Sequence, residues 1–304
     1  MSVSSLIRLE SNLLQVDVFP GGGGKLVSIY NKELGYEFLW RNEALQLKPY
    51  PEGTEYDPVF FGGVDELLPN DIPERVDGMA FPDHGELWTA ALEPSVTGDR
   101  GLQLQGQLPV SKLRYEKKIY LDKERPVIVT DYRITNGNNV PVKFLWKLHA
   151  ALNIDQGDRI NCSAKQGQVV DLEYSRFQTI EPFAWPVIDG EDVSTLPAKN
   201  GGMDFFYLYD LSVGQVAWHR PSDDMYFAYQ FDRSVFPYVW LFASYGGFLG
   251  HYMAILEPCT SMPISVNDAA LAGTAVVLQP GETLATQVSM VAGKLTDNLI
   301  AENK

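Results

Sequence analysis

The sequence predicts an all-β protein in which packed β-sheets, with long loops at one edge, form a single domain over residues 1–304. Three observations carry this prediction. Apolar and polar residues alternate with period two, as in Leu14, Val16 and Val18 around Gln15 and Asp17. Turn-forming residues separate the alternating runs, and no linker, repeat or low-complexity segment divides the chain. A 45% apolar content is enough for a large core.

The predicted strands follow one another along nearly the whole chain. A glycine run at 21–24, which lacks the Gly-Lys-Ser/Thr ending of a phosphate loop, is interpreted as a turn, and Asn136–Asn139 as another. A helical pattern is confined to 296–303. The strands are expected at 14–18, 25–31, a short run ending at Trp40, 44–48, 102–107, 113–121, 126–135, 141–153, 204–211, 214–218, 225–231, 238–244, 252–257, 274–278 and 283–292.

The strand predicted at 141–153 carries a histidine away from its most apolar face. Phe144, Trp146 and Leu148 share one face, and Lys147 and His149 share the other. A histidine held in the core and a histidine that faces a ligand are about equally compatible with this position.

A long segment rich in proline, glycine and acidic residues occupies residues 50–70. Irregular insertions of this length in a compact domain are often functional. Asp65 and Glu66 could bind a metal ion, but their surroundings lack the rhythm of a calcium loop, and solvated loop acids are the preferred interpretation. No metal site and no cofactor are predicted.

Residues 81–88, Phe-Pro-Asp-His-Gly-Glu-Leu-Trp, place a histidine on a tight bend. Gly85 gives the backbone room to turn or to approach a ligand closely, and His84 can titrate near neutral pH. An ordinary loop histidine with satisfied hydrogen bonds remains the alternative for this stretch.

Charge and cysteine usage restrict the partners. A net charge of −15 disfavours nucleic acid and anionic membranes as partners, and a neutral small molecule fits it better than a highly phosphorylated one.

Cys162 and Cys259 lack metal-type spacing and are expected to be free thiols in a reducing compartment. Without a signal-peptide pattern or an apolar run of membrane-spanning length, a cytoplasmic location is predicted. The oligomeric state is left open.

Familiar hydrolase patterns are missing from the sequence. It contains neither His-x-His nor His-Glu-x-x-His pairs, and no Gly-x-Ser-x-Gly elbow. Histidines and carboxylates remain as the groups that could move protons.

Short motifs in a fixed order extend over nearly the whole chain. They lie at residues 14–29, at Phe-Phe-Gly-Gly-Val-Asp-Glu-Leu-Leu-Pro (60–69), and at 82–85, 135–136, 148–153, 202–208 and 255–260. Their order resembles the aldose 1-epimerase (galactose mutarotase-like) superfamily, whose members share a large antiparallel β-supersandwich. Two departures from the family pattern stand out. After the first histidine, many relatives have an aromatic residue, a small residue and an arginine, whereas this chain has Glu86, Leu87 and Trp88. Relatives also have an arginine before that histidine, and here only Arg75 is available for it.

The resemblance implies an isomerase that interconverts the α and β anomers of a hexose or hexose phosphate without a cofactor. It implies Glu257 as the base, His149 as the acid and His84 as a hydrogen-bonding group near the reacting oxygens. Asp204 would hold a ring hydroxyl, with Trp88 stacking on the sugar and Arg75 as a further contact. His84, His149, Asp204 and Glu257 are expected to converge in one open cleft on the same sheet face.

Two other functions remain compatible with the sequence. One is a catalytically silent carbohydrate-binding protein, and the other is a sugar lyase or another carbohydrate-active enzyme on the same fold, because a fold alone does not determine function.

Overall fold

The computed structural model describes residues 5–295, so the helix predicted at 296–303 lies outside the described part. Within residues 5–295 there are 25 β-strands and one α-helix, α1 (Val266–Ala272), with short 3₁₀ helices at Asp57–Val59, Leu87–Thr89 and Leu172–Tyr174. The strands are β1 (Ile7–Glu10), β2 (Leu14–Phe19), β3 (Lys25–Asn31), β4 (Tyr36–Glu37), β5 (Val64–Leu67), β6 (Glu74–Val76), β7 (Met79–Phe81), β8 (Glu93–Thr97), β9 (Gly101–Gln107), β10 (Leu113–Leu121), β11 (Val127–Asn136), β12 (Val142–Phe144), β13 (Lys147–Asn153), β14 (Arg159–Cys162), β15 (Gln166–Val169), β16 (Phe183–Ala184), β17 (Val187–Ile188), β18 (Glu191–Asp192), β19 (Met203–Tyr209), β20 (Gln215–Arg220), β21 (Met225–Phe231), β22 (Tyr238–Tyr245), β23 (Tyr252–Cys259), β24 (Val276–Leu278) and β25 (Thr283–Lys294).

Two large antiparallel sheets make up the architecture. The larger has eleven strands in the order β1-β2-β3-β5-β13-β23-β22-β19-β15-β16, with β4 paired to β3. The smaller has eight strands in the order β14-β20-β21-β25-β11-β10-β9-β8. Three small two-stranded sheets, β6-β7, β12-β24 and β17-β18, lie in the connections. The predicted all-β class is confirmed.

The larger sheet is buried on both faces. One face packs on the smaller sheet, where Leu148 and Leu241 join Ile134 and Phe227 in the main hydrophobic core. The other face carries a second cluster in which strand residues such as Trp240 pack against loop residues. The central strands of this sheet therefore bury nearly every side chain, unlike a sheet with one solvated face.

Most predicted strands are present within a few residues of their expected bounds. The long strand at 141–153 is divided into β12, which pairs with β24, and β13, which joins the large sheet. Its two faces are as predicted, because Trp146 and Leu148 enter the core between the sheets whereas Lys147 and His149 point to the opposite side. The run at 44–48 forms no strand, and α1 was not predicted because its seven residues give too few turns for a clear helical period.

In the segment at 50–70, Asp65 and Glu66 are not the solvated loop acids that were predicted. Asp65 and Glu66 belong to β5, and each is only 2% exposed. They occupy opposite faces, so Asp65 pairs with Lys25 at 3.1 Å and Glu66 pairs with Lys117 at 2.6 Å. A strand buried on both faces can carry adjacent acids only where each one has a cation.

Cys162 and Cys259 are free thiols. Among residues 5–295, no helix combines the length and the apolar character needed to cross a bilayer. In the same range, no group of three or more His, Cys, Asp or Glu side chains is arranged to hold a metal ion.

Candidate functional site

A cavity of about 220 Å³ opens on the face of the large sheet that points away from the smaller sheet. Its floor is formed by side chains of β13, β19, β22 and β23, and loops that contain the short 3₁₀ segments form its walls. Aromatic rings line one part, with Phe242 and Phe248 5.3 Å apart between ring centroids. Charged side chains line the other part: Asp57, Asp71, Asp83, Asp171, Lys147 and Glu257, with His84 and His149.

Glu257 lies at the centre of the sheet. Its strand, β23, is hydrogen-bonded to β13 on one side and β22 on the other, and it continues through Pro258 to Cys259. The sequence, in which Pro258 directly follows the strand predicted at 252–257, predicts that the strand ends there with Glu257 at a sheet edge, and this prediction is wrong. The side chain is 1% exposed, and burial raises the pKa of its carboxyl to about 7 although Lys147 favours the ionised form.

Lys147 is the cation that allows two acids to be buried here. Its ammonium nitrogen lies 2.6 Å from Glu257 Oε2 and 2.8 Å from Asp71 Oδ2, and 4.5 Å from the centroid of the Trp240 ring. Burial opposes its charge, but Asp71 and Glu257 outweigh this and raise the pKa of Lys147. The lysine is thus charged and balanced by its two carboxylate partners.

His149 comes from β13 beside Asp65 of β5, to which it is directly paired across the strands. Its Nδ1 is 3.5 Å from the hydroxyl of Tyr56, and that hydroxyl donates a 2.7 Å hydrogen bond to Asp65. Burial first, and then the positive charges of Lys147, His84 and Lys25, hold the pKa of His149 well below its usual value.

His84 is held by the loop that follows β7. Its backbone N–H donates to the Asp71 carbonyl at 2.6 Å, and its ring stacks on Tyr56 with centroids 4.3 Å apart. Nδ1 lies 2.8 Å from Asp83 Oδ1, and Nε2 lies 3.5 Å from Asp71 Oδ1. Burial disfavours the charged ring, but the two carboxylates prevail and raise the pKa of His84.

Gly85 is required by the shape of this loop. It has a φ of +78°, and an added Cβ would overlap the carbonyl oxygen of Leu68. Gly85→Ala is therefore expected to lower the free energy of unfolding by about 2–4 kcal/mol, from left-handed backbone strain and a backbone clash together. Gly78→Ala is the matched control, because Gly78 also has a positive φ, of +88°, but no atom lies within 4 Å of its added Cβ. It is expected to lose only about 1 kcal/mol. Equal losses in urea unfolding of the two variants would contradict a specific contact at Gly85.

The structure places Asp204 outside the cavity, contrary to the prediction. On β19, Phe205 faces the cavity, so the alternation of the strand turns Asp204 to the opposite face. There its carboxylate accepts hydrogen bonds from Arg176 at 3.0 Å and from the Tyr245 hydroxyl at 3.1 Å. Its contacts are those of a structural ion pair.

Trp88 and Arg75 also lie outside the cavity. Trp88 is buried in the second cluster, where its indole N–H donates to the Asp83 carbonyl at 3.3 Å and its ring meets the edge of Tyr56. Arg75, on the β6-β7 hairpin, donates to the Gly78 carbonyl at 2.6 Å. Trp88 thus supports the loop that carries His84, and Arg75 stabilises a hairpin turn.

Polar residues that line the cavity but were not predicted as site residues include Tyr56, Asp57, Asp71, Asp83, Lys147 and Asp171. Lys147 could have been recognised, because it lies two positions before His149 and so shares its strand face. Tyr56, Asp57 and Asp171 lie on irregular loops, where the sequence has no period that gives the direction of a side chain.

No family model and no curated protein matches the chain. Several solved structures, however, are similar to it over nearly the whole chain. The chain is similar to a candidate aldose 1-epimerase of Escherichia coli K12, with 15% identity, TM-score 0.74, and coverage of 96% of this chain and 99% of that one. It is also similar to a galactose mutarotase-like protein of Clostridium acetobutylicum, with 15% identity, TM-score 0.71, and coverage of 97% of each chain. A third, a galactose mutarotase-like protein of Lactobacillus casei ATCC 334, has 15% identity, TM-score 0.66, and coverage of 94% of this chain and 99% of that one. The galactose mutarotase-like β-sandwich fold predicted from the sequence is confirmed.

Proposed function

We propose that the protein is an aldose 1-epimerase that interconverts the α and β anomers of an uncharged hexose by acid/base opening of the ring. The observation that carries the proposal is the meeting of Glu257, whose pKa is raised to about 7, with two histidines in one cavity. Opening a cyclic hemiacetal needs a base for the proton of the C1 hydroxyl and an acid for the ring oxygen. A carboxylate and an imidazole that titrate near neutral pH suit these two roles.

The shape and lining of the cavity support a small sugar as ligand. At about 220 Å³ it is smaller than the roughly 300–1,000 Å³ of pockets for drug-sized molecules. Aromatic faces such as those of Phe242 and Phe248 can stack on the apolar face of a sugar, while carboxylates accept hydrogen bonds from its hydroxyls. The structural neighbours named as epimerases or mutarotase-like proteins agree with this chemistry.

Polarimetry of freshly dissolved α-glucose and α-galactose, in weak buffer, tests the proposal. Catalytic amounts of protein are expected to accelerate the approach to anomeric equilibrium. If a broad panel of aldoses equilibrates at the buffer rate, the proposal is wrong. If the same sugars still bind, a sugar-binding protein without catalysis becomes the better interpretation.

The charges around the cavity favour an unphosphorylated sugar. Among the described residues that line it there are five carboxylates, one lysine and no arginine, and that lysine is already shared by Asp71 and Glu257. A phosphate carries a charge of about −1.5 to −2 at pH 7. With an effective dielectric constant of about 20, repulsion between two unit charges 8 Å apart is about 2 kcal/mol.

We therefore expect kcat/KM for glucose 6-phosphate to be at least about tenfold below that for glucose, since about 1.4 kcal/mol corresponds to a factor of ten. Asp57→Asn is expected to reduce the preference for glucose over its phosphate roughly threefold, because the Asp57 carboxylate lines the cavity and forms no hydrogen bond or close ion pair with another described side chain. Asp223→Asn, an exposed site on the turn between β20 and β21, is the control and should leave the ratio unchanged. A preference for the phosphate ester would overturn the uncharged substrate but not the epimerase.

A further inference from the structure

We propose that His84, and not His149, donates the proton to the ring oxygen, and that His149 acts as a neutral hydrogen-bond acceptor for a sugar hydroxyl. The proposal rests on the epimerase activity proposed above and departs from the roles that the family resemblance implies. It follows from the different surroundings of the two imidazole rings, which face the same cavity.

His84 is placed as a cation between two carboxylates. Because Asp83 Oδ1 is 2.8 Å from Nδ1, that nitrogen carries a proton and donates it to the carboxylate. Asp71 is 3.5 Å from Nε2, which stabilises a positive ring but is beyond the usual length of a hydrogen bond. Nε2–H is thus free to donate to a ligand, and the raised pKa of His84 agrees with a protonated ring.

His149 is placed as a neutral ring. Since the Tyr56 hydroxyl gives its proton to Asp65 at 2.7 Å, the tyrosine oxygen presents only lone pairs towards His149 Nδ1, which lies 3.5 Å away. At this distance the contact is weak, but it favours the tautomer with the proton on Nδ1 and a lone pair on Nε2. Within residues 5–295, no carboxylate forms an ion pair with the His149 ring, and its lowered pKa agrees with the neutral form.

Charged groups from every neighbouring element contribute to this difference. Those that face His84 are Asp57 and Tyr56 from the loop before β5, Asp71 and Asp83 from the loops around the β6-β7 hairpin, Lys147 and His149 from β13, and Glu257 from β23. Those that face His149 are Lys147 on its own strand, Lys25 from β3, Asp65 from β5, and His84 and Tyr56 from the loops. The carboxylates of Asp71 and Asp83 thus outweigh the cations around His84, whereas the positive charges of Lys147, His84 and Lys25 act on His149.

The proton transfers balance without a cofactor. Glu257 takes the proton of the C1 hydroxyl while the bond between C1 and the ring oxygen breaks, and the electrons of that bond go to the ring oxygen. His84 Nε2–H protonates this oxygen, which leaves an open-chain aldehyde, a neutral His84 and a protonated Glu257. The aldehyde then rotates about the C1–C2 bond. The former ring oxygen, now a hydroxyl, attacks the other face of C1 and returns its proton to His84. The aldehyde oxygen takes the proton from Glu257 and becomes the C1 hydroxyl of the other anomer.

An NMR pH titration of the histidine rings tests the protonation states without any need for activity. In protein labelled with ¹³C at histidine Cε1, the His84 resonance is expected to titrate above the ordinary pKa of histidine, about 6.5, and the His149 resonance well below it. The variants His84→Asn and His149→Gln assign the signals; asparagine suits position 84 because the residue there has a φ of +55°. His219 and His251, which do not line the cavity, serve as internal references.

Kinetics supply the second arm of the test. His84→Asn is expected to lower kcat by roughly 10²–10⁴-fold, the worth of a general acid. His149→Gln should mainly raise KM, because it removes a binding contact. Asp83→Asn should move the high-pH limb of kcat to lower pH, a change that a purely structural role of Asp83 would not produce.

Two results would overturn the proposal: a His149 signal that titrates above that of His84, or a larger loss of kcat in His149→Gln than in His84→Asn. If the wild-type protein has no epimerase activity, the proposed function fails, whereas the titration still decides which ring carries the proton.

Discussion

Replacing Glu257 with glutamine is expected to lower kcat for aldose mutarotation by roughly 10²–10⁴-fold, the usual contribution of a general base. Glutamine keeps the size of the side chain but cannot accept the proton of the C1 hydroxyl at neutral pH. Lys147 keeps Asp71, 2.8 Å away, as its counter-charge, so the buried lysine is not left alone. KM should therefore change much less than kcat.

Stability measured as a function of pH provides the control for this variant. The folded-state pKa of Glu257, about 7, is above its ordinary value, so the native protein binds the proton more tightly than the unfolded chain does. The wild-type protein then loses stability as pH rises towards 7, and Glu257→Gln lacks this loss. Near-normal kcat in a folded variant would mean that another group is the base, and a variant that does not fold would make Glu257 a structural ion-pair residue.

Lys147→Met is expected to have the second largest effect. It leaves Asp71 and Glu257 buried at 3% and 1% exposure without the cation between them, and breaking a buried pair in this way costs about 3–5 kcal/mol. The pKa of Glu257 should rise further because Lys147 now lowers it. At pH 7 more of the base would be protonated, so kcat should fall at least about tenfold and recover in part at higher pH.

Lys117→Met is a matched control for the loss of a buried lysine. Lys117 and Glu66 form an ion pair with the same 2.6 Å distance, but they lie in the core between the sheets. This variant should lose comparable stability in urea unfolding while the pH dependence of kcat stays unchanged.

Asp71→Asn should shift the pKa of Glu257 in the direction opposite to Lys147→Met, because Asp71 raises that pKa. The low-pH limb of the kcat profile should therefore move to lower pH. A shift of the pH profile in Lys117→Met, or none in Lys147→Met and Asp71→Asn, would contradict this coupling.

The fold was largely predictable because alternation and turn chemistry are local signals. The strand at 113–121 was predicted with its observed bounds, and it alternates buried and partly exposed residues along its length. β5 was missed for the converse reason. Both of its faces are buried, so its sequence, Val-Asp-Glu-Leu, has no alternation, and its two acids are compensated by lysines distant in sequence.

The site was predictable in part, and strand geometry explains the limits. The direction in which the His149 side chain points followed from the alternation of its strand. Asp204, by contrast, was assigned to the site from a motif, without regard to the neighbouring Phe205, which faces the cavity. Glu257 was placed at an edge because proline usually interrupts a strand, but β23 continues through Pro258. Asp57 and Asp171 approach the cavity from loops, and only tertiary structure brings them there.

The adjacent acids of β5 have a consequence for how this strand finds its place between β3 and β13. A slip by one residue moves every side chain of a strand to the other face. In one direction, Glu66 would take the place of Asp65, and Leu67 would then face Lys117. In the other direction, Asp65 would take the place of Glu66, and Val64 would then face Lys25. Either misalignment leaves one buried lysine without a counter-ion and one carboxylate among apolar neighbours, so the two ion pairs select the native alignment over its nearest competitors.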